Sequence, residues 1–273
     1  MRTKNNWITI LENCNKVVQK KIPPLLQKVA EPPVDYGIGA GGDLIKKVDL
    51  EAETAIVNTL KKAKVSCTII SEETGTIKIG KTPEENYVIL DPIDGSTNFT
   101  RGIPFYATSI AVSKNQTLDG VHTALVSDLI HNITYTAIKK QGAYKNNEKI
   151  TPSKIKSFEK ATIGVDLNTD QPKTLKSLAK LLIKIPHLRH FGANALELCY
   201  VADGTIDAFI DIRGKLRTTD LAAAFLILKE SNATIMTLKG DPLTEKMSPT
   251  QKIAFVAAGN SQIFSQIVKE LSN

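Results

Sequence analysis

Before its midpoint the chain runs Val88-Ile89-Leu90-Asp91-Pro92-Ile93-Asp94-Gly95-Ser96-Thr97-Asn98-Phe99, a buried-strand pattern that delivers two aspartates and then a small polar turn. A second apolar run, Cys67-Thr-Ile-Ile70, ends the same way in Ser71-Glu72-Glu73. Strands this apolar must be covered by other layers, so the chain needs a sheet in its interior. Carboxylates at the end of a buried strand have two readings. Asp, Ser and Gly commonly build turns and helix caps. The alternative is a cation site that handles phosphate.

Composition narrows the classes. With 273 residues the chain can bury a substantial core, as one large domain or two lobes. Hydrophobic residues are 42% and charged residues 23%, which excludes a disordered or fibrous chain. The formal net charge is +7, but the lysines are scattered and aromatics are only 5%, so no nucleic-acid footprint is expected. Cys14, Cys67 and Cys199 lack metal-ligand spacing and read as reduced core residues. No segment has a signal-peptide core or a membrane-spanning length, so the expectation is a cytoplasmic protein with no membrane partner.

Hydrophobic periodicity predicts helices over 7–29, divided at Pro23 and Pro24, and over 47–62, 175–183, 194–202, 220–230 and 261–271. Strands are expected over 67–70, 87–90, 106–113, 120–127, 133–138, 161–165, 206–212 and 253–257. Residues 31–42, rich in proline and glycine, read as an irregular loop. The mixture implies an α/β architecture. A seam near residues 145–157 divides it into an N-terminal lobe, 1–150, and a C-terminal lobe, 151–273.

If the strands ending at Ile70 and Leu90 are neighbours, Glu72, Asp91 and Asp94 converge. Like charges that close repel unless cations neutralise them, and hard oxygen ligands favour Mg²⁺, with phosphate completing the coordination. Pro92 fixes a tight turn in which Asp91, the Ile93 carbonyl and Asp94 face one ion together. The turn Gly95-Ser96-Thr97-Asn98 then opens a short helix whose free N–H groups suit phosphate.

These residues resemble a known family. Asp91-Pro-Ile-Asp-Gly-Ser-Thr-Asn-Phe99 is similar to the signature of the inositol monophosphatases, Mg²⁺-dependent phosphatases of small sugar and polyol phosphates. Three more segments fit in the same order: Asp43-Leu-Ile-Lys-Lys-Val-Asp49, Ser71-Glu-Glu-Thr-Gly75, and Gly192-Ala-Asn-Ala-Leu-Glu-Leu-Cys-Tyr-Val-Ala-Asp-Gly204 leading to Asp220-Leu-Ala-Ala-Ala224. The resemblance implies a layered α-β-α-β-α sandwich, two or three Mg²⁺ ions per active site and a homodimer. It implies metal ligands at Glu72, Asp91, Ile93 through its carbonyl, Asp94 and Asp220. Catalytic roles in orienting water fall to Asp49, Glu72 and Ser96, substrate phosphate to Asp94, Gly95 and Ser96, and substrate hydroxyls to Asp211.

Three positions depart from the family pattern: Ser96 stands where Thr is usual, Thr219 where Trp precedes the last metal aspartate, and Lys46-Lys47 where small or hydroxylic residues are common. The stretch Asp211-Ile-Arg-Gly-Lys-Leu-Arg-Thr-Thr-Asp220 is more similar to the archaeal branch, which resembles both inositol monophosphatases and fructose-1,6-bisphosphatases. Arg189, Arg213, Lys215 and Arg217 are its candidates for a second phosphate. The expected activity is hydrolysis of inositol 1-phosphate, fructose 1,6-bisphosphate or both. The alternatives are a 3′-phosphoadenosine 5′-phosphate phosphatase and an inactive homologue that binds sugar phosphates.

Overall fold

The computed structural model describes residues 6–28 and 37–272, so Val29 and the first part of the loop expected over 31–42 lie outside the described residues. Helix α1 (Trp7–Lys21) buries Trp7, Leu11, Cys14 and Val18 along one face, and the prolines after it convert the chain to a 3₁₀ turn, Pro23–Lys28. Next come α2 (Lys47–Lys62), β1 (Cys67–Ser71), β2 (Gly75–Ile79), β3 (Tyr87–Asp94) and the short helix α3 (Ser96–Arg101). A meander follows through β4 (Ala107–Ser113), β5 (Val121–Asp128), β6 (Ile133–Ile138), β7 (Gly142–Lys145) and β8 (Glu148–Lys149). The remainder comprises β9 (Thr162–Val165), α4 (Pro172–Leu182), β10 (His187–Arg189), α5 (Asn194–Ala202) and β11 (Ala208–Arg217), then α6 (Thr218–Ser231), β12 (Thr234–Met236), β13 (Lys252–Ala258) and α7 (Ser261–Ser272).

The first eight strands form one sheet in the order β2-β1-β3-β4-β5-β6-β7-β8, with β1 and β3 parallel and the other neighbours antiparallel. The last five form a second sheet, β10-β9-β11-β13-β12. The first sheet ends at Lys149 and the second begins at Thr162.

Three apolar clusters define the layers. Leu11 and Val18 of α1 and Ile56 and Leu60 of α2 pack on Val88 and Leu90, covering one face of the larger sheet. Ile89, between those two residues, points to the opposite face, as the period of two in a strand requires. There it meets a cluster containing Leu196 of α5, Leu221 and Phe225 of α6, and Phe209 and Phe255 of the smaller sheet. Helix α6 is buried on nearly every side, consistent with its almost unbroken apolar run. The outer face of the smaller sheet is covered by α4 and α7 through Leu178, Leu181, Ile263 and Ile267. The order is therefore helix, sheet, helix, sheet, helix, the layered α/β sandwich expected from the sequence.

The long elements fall where periodicity places them; the short strands do not announce themselves. All three residues of β10 and both residues of β8 are exposed, so neither carries an apolar run. Strand β11 continues past Ile212 to Arg217, with its pairing to β13 interrupted between Asp211 and Leu216. The three cysteines are buried and free. Among the described residues no helix is long and apolar enough to cross a membrane.

Candidate active site

Strand register assembles the carboxylates. In the parallel pair β1 and β3, Ser71 lies opposite Leu90, so the next residues, Glu72 and Asp91, leave adjacent strands side by side. Asp91 has the same parity as Ile89 and therefore faces the α5/α6 layer. Asp220, the third residue of α6, enters from that layer. One carboxylate oxygen from each of Glu72, Asp91 and Asp220 lies within 4.8 Å of the others.

Pro92 explains how a second aspartate reaches the same side. It stands in a central strand and has no N–H to give the ladder, a position tolerated only at a bulge. Asp91 pairs with Ser109 and Asp94 with Ala107, so β3 carries one residue more than β4 across this interval. The extra residue turns Asp94 back toward the α5/α6 layer, while the Ile93 side chain is buried in the α1/α2 cluster. Thr108 Oγ1 donates to the Pro92 carbonyl at 2.8 Å and fixes the bulge. Asp94 accepts from the N–H groups of Asn194 and Leu196 at the start of α5, at 2.9 and 3.2 Å. Each oxygen keeps lone-pair capacity beyond those bonds.

Burial and mutual repulsion make this cluster costly to ionise. Burial, followed by the charge of Asp220, pushes Glu72 up to about 9. Asp91 is raised well above the ordinary range by burial and then by Glu72 and Asp220, and burial raises Asp94 to about 7. Asp220 is also raised, chiefly by burial, against the opposing pull of Arg217. A set of hard oxygen donors this close and this poorly solvated fits a divalent cation such as Mg²⁺, which removes the repulsion on binding. Thr219, where the family pattern has Trp, donates to Asp220 Oδ1 at 2.9 Å and orients it.

Asp49 lies in the first turn of α2, buried, and its carboxyl is pushed up to about 8 by burial and then by Glu73. Lys46, just before that helix, reaches Ser96 Oγ and Thr97 Oγ1, both at 2.9 Å. In the sequence Lys46 stands out only as a departure from the family pattern, three residues before Asp49. Gly95 takes the left-handed φ of +84° that lets β3 turn into α3.

Arg217 is the other positive charge among the carboxylates. Its Nη1 donates to Glu72 Oε1 at 2.7 Å, Nη2 pairs with Asp43, and Nε and Nη2 both donate to the Gly41 carbonyl. Residues 37–45 form a small hairpin closed by the Ile38 to Leu44 bridge, and Ala40 and Gly41 donate their N–H groups to the Glu73 and Glu72 carbonyls. A Cβ at Gly41 would lie 2.7 Å from Arg217 Nε and 2.9 Å from Glu72 Cγ, so a larger residue there would have to displace one of these side chains. The glycine run thus packs against Glu72 and Glu73.

The remaining expected substrate contacts have other partners. Asp211 is fully buried and accepts from Arg213 Nε and Nη2, at 2.9 and 2.6 Å. Arg213 also pairs with Asp166 at 2.6 Å, Lys215 with Asp170 at 2.9 Å, and exposed Arg189 donates to the neighbouring Leu188 carbonyl.

Comparison with known proteins identifies the family. The model of the inositol monophosphatase family matches residues 10–273. A protein of Methanothermobacter thermautotrophicus named fructose-1,6-bisphosphatase/inositol-1-monophosphatase is 34% identical, over 97% of this chain and 96% of its own. A protein of the same name from Methanocaldococcus jannaschii is also 34% identical, over 96% and 98%. A crystal structure titled inositol monophosphatase-fructose 1,6 bisphosphatase superposes with a TM-score of 0.87 at 32% identity, covering 97% of this chain and all of that one. With a family match over almost its whole length and a shared fold, the chain belongs to the inositol monophosphatase family.

Proposed function

We propose that the protein is a Mg²⁺-dependent phosphomonoesterase of small sugar or polyol phosphates, with inositol 1-phosphate and fructose 1,6-bisphosphate as its leading substrates. The observation that carries the reading is the convergence of Glu72, Asp91 and Asp220 at the ends of two strands and one helix. The names of the two archaeal relatives support the choice of substrates.

In this reading Glu72, Asp91, Asp94, Asp220 and the Ile93 carbonyl hold two or three Mg²⁺ ions. When bound, the ions lower the pKa of water and neutralise charge on the phosphate. Gly95 and Ser96 seat the phosphate, and Asp49 and Ser96 hold the attacking water in line. Arg189, Asp211, Arg213, Lys215 and Arg217 are the candidates for the alcohol portion and any second phosphate. The first lobe supplies most metal ligands, the second contributes Asp220, and the working form is a cytoplasmic homodimer.

The test is a panel of inositol 1-phosphate, fructose 1,6-bisphosphate, other sugar phosphates and 3′-phosphoadenosine 5′-phosphate, assayed with Mg²⁺ and with chelator. Comparable Mg²⁺-dependent rates on the first two esters support the dual specificity. Full turnover in chelator, or release of phosphate from none of them, rejects the proposal.

A further inference from the structure

We propose that Lys46 is a phosphate-contacting residue, an ammonium that the sequence itself supplies to the seat of the substrate phosphate. The inference deepens the phosphomonoesterase reading and rests on it for the identity of the anion.

Placement comes first. Lys46 directly precedes α2, and its carbonyl accepts from Asp49 N–H at 3.1 Å, so the lysine and the buried aspartate share one turn. The side chain is half-buried and crosses to the turn after β3, where Nζ donates to Ser96 Oγ and Thr97 Oγ1. Both partners are neutral hydroxyls. Asp43, Asp49, Glu72 and Glu73 all act on the ammonium through space, yet among the described residues it makes no direct ion pair with any of them.

A surface lysine that merely balances acidic neighbours would close on one of those carboxylates. Lys46 instead stands over two hydroxyls beside Gly95, with two of its three N–H donors in use and the third without a partner among the described residues. Ser96 and Thr97 also have hydroxyl protons to give, since each oxygen accepts from Lys46. Ammonium and hydroxyls together form a set of donors suited to the oxygens of a phosphate dianion. Phosphoryl transfer needs this kind of help: charge spreads over the nonbridging oxygens, and fixed positive groups aimed at them stabilise it without reorganising.

The residue's contribution is separable from that of the metal carboxylates. Charge-assisted hydrogen bonds contribute about 1.5–3 kcal/mol, so removing the ammonium should weaken phosphate binding by about 10- to 100-fold. Because Lys46 is not itself a metal ligand, affinity for Mg²⁺ should not fall.

The experiment measures inorganic phosphate binding to the Mg²⁺-loaded full chain by calorimetry, and Mg²⁺ binding separately, for the wild type, Lys46→Met and Lys46→Arg. The expected result is a loss of at least about 10-fold in phosphate affinity for Lys46→Met, partial recovery in Lys46→Arg, and Mg²⁺ affinity equal to or tighter than wild type. Thr97→Val, which removes one anchor of the ammonium and one hydroxyl donor but keeps the charge, should show a smaller loss and guards against misfolding of the first variant. Phosphate affinity within about twofold of wild type in Lys46→Met, or a matching loss of Mg²⁺ affinity, overturns the proposal. Failure of the wild type to hydrolyse any ester would reject the phosphomonoesterase reading alone, since the phosphate titration reads Lys46 without turnover.

Discussion

Arg217 Nη1 donates to Glu72 Oε1 across 2.7 Å, with the two side chains 12% and 17% exposed. The arginine ends β11 in the smaller sheet and the glutamate follows β1 in the larger, so this ion pair ties the two sheets at the acidic cluster. Replacing one member of a largely buried pair leaves the other uncompensated. At a pH above about 9, where Glu72 is ionised without metal, Arg217→Met should therefore lower unfolding free energy by on the order of 3 kcal/mol in chelator. With Mg²⁺ present the cation compensates Glu72, and the cost should be clearly smaller. Denaturant titrations under both conditions check this; an equal cost in both would separate Arg217 from the metal site.

The acidic cluster also sets the sign of pH dependence. Glu72 is raised from an ordinary 4.5 to about 9, first by burial, and Asp94 from 3.8 to about 7. Between those values the folded protein holds protons that the unfolded chain has released. Stability without metal is therefore greatest at the acidic end of this window and falls as pH rises from about 4.5 to about 9. In the proposed site Mg²⁺ binds the deprotonated cluster, which should flatten the slope and stabilise most at high pH. Melting temperatures from pH 5 to 9, with chelator and with Mg²⁺, read both effects. A chelated protein whose melting temperature rises steadily over this range would contradict the assignment.

Asp94 and Asp220, both proposed metal ligands, differ in what else they support. Asp94 also accepts from two N–H groups at the start of α5, one on each oxygen, so Asp94→Asn, which keeps one acceptor and turns an NH2 toward the other N–H, should cost about 1–2 kcal/mol of stability. Asp220 accepts from Arg217 N–H at 3.3 Å and from the Thr219 hydroxyl at 2.9 Å; that hydroxyl can turn to accept from an amide, so Asp220→Asn should change stability less. Removing charge from a metal ligand forfeits several kcal/mol of transition-state stabilisation, so both variants should lose on the order of 100-fold or more in kcat/KM. Circular dichroism establishes that they fold, and steady-state kinetics reads the loss. Wild-type turnover in both would remove these residues from the site.

Much of this arrangement is legible in the sequence because local rules and the global fold agree. The apolar run through Leu90 requires a buried strand, Pro92 requires a break in its ladder, and Gly95 fits the left-handed turn that follows. Glu72 can be associated with Asp91 because both end apolar runs, and parallel pairing makes them neighbours. What the sequence does not reveal depends on contacts distant along the chain. Strand β10 exists by pairing with β9, with no apolar pattern of its own. The Arg217 contact with Glu72 joins residues 145 positions apart, and the basic stretch around it read equally well as a substrate clamp. Asp211 and Arg213 illustrate the same limit: their mutual hydrogen bonds follow from the irregularity in β11 between Asp211 and Leu216, which no motif announces.

Gly95 offers the sharpest test of how backbone geometry serves the site. Its φ of +84° is costly for a residue with a side chain, and a Cβ there would lie 2.9 Å from Ala193 Cβ and 3.1 Å from the Phe105 carbonyl oxygen. Gly95→Ala therefore carries a left-handed penalty of about 1–2 kcal/mol together with an overpacking cost of about 1–3 kcal/mol. Relief requires the turn to shift against α5, and that shift moves Asp94 on one side and Ser96 on the other. A displacement near 1 Å at groups that position a reacting phosphate costs on the order of 100-fold in rate. The variant should accordingly lose about 2–4 kcal/mol of stability, yet at a temperature where it is fully folded it should still show a kcat at least about 10-fold below wild type. Kinetics beside a melting curve on the same preparation separates the two effects. Normal turnover in the folded variant would mean that the turn after β3 does not position the reaction.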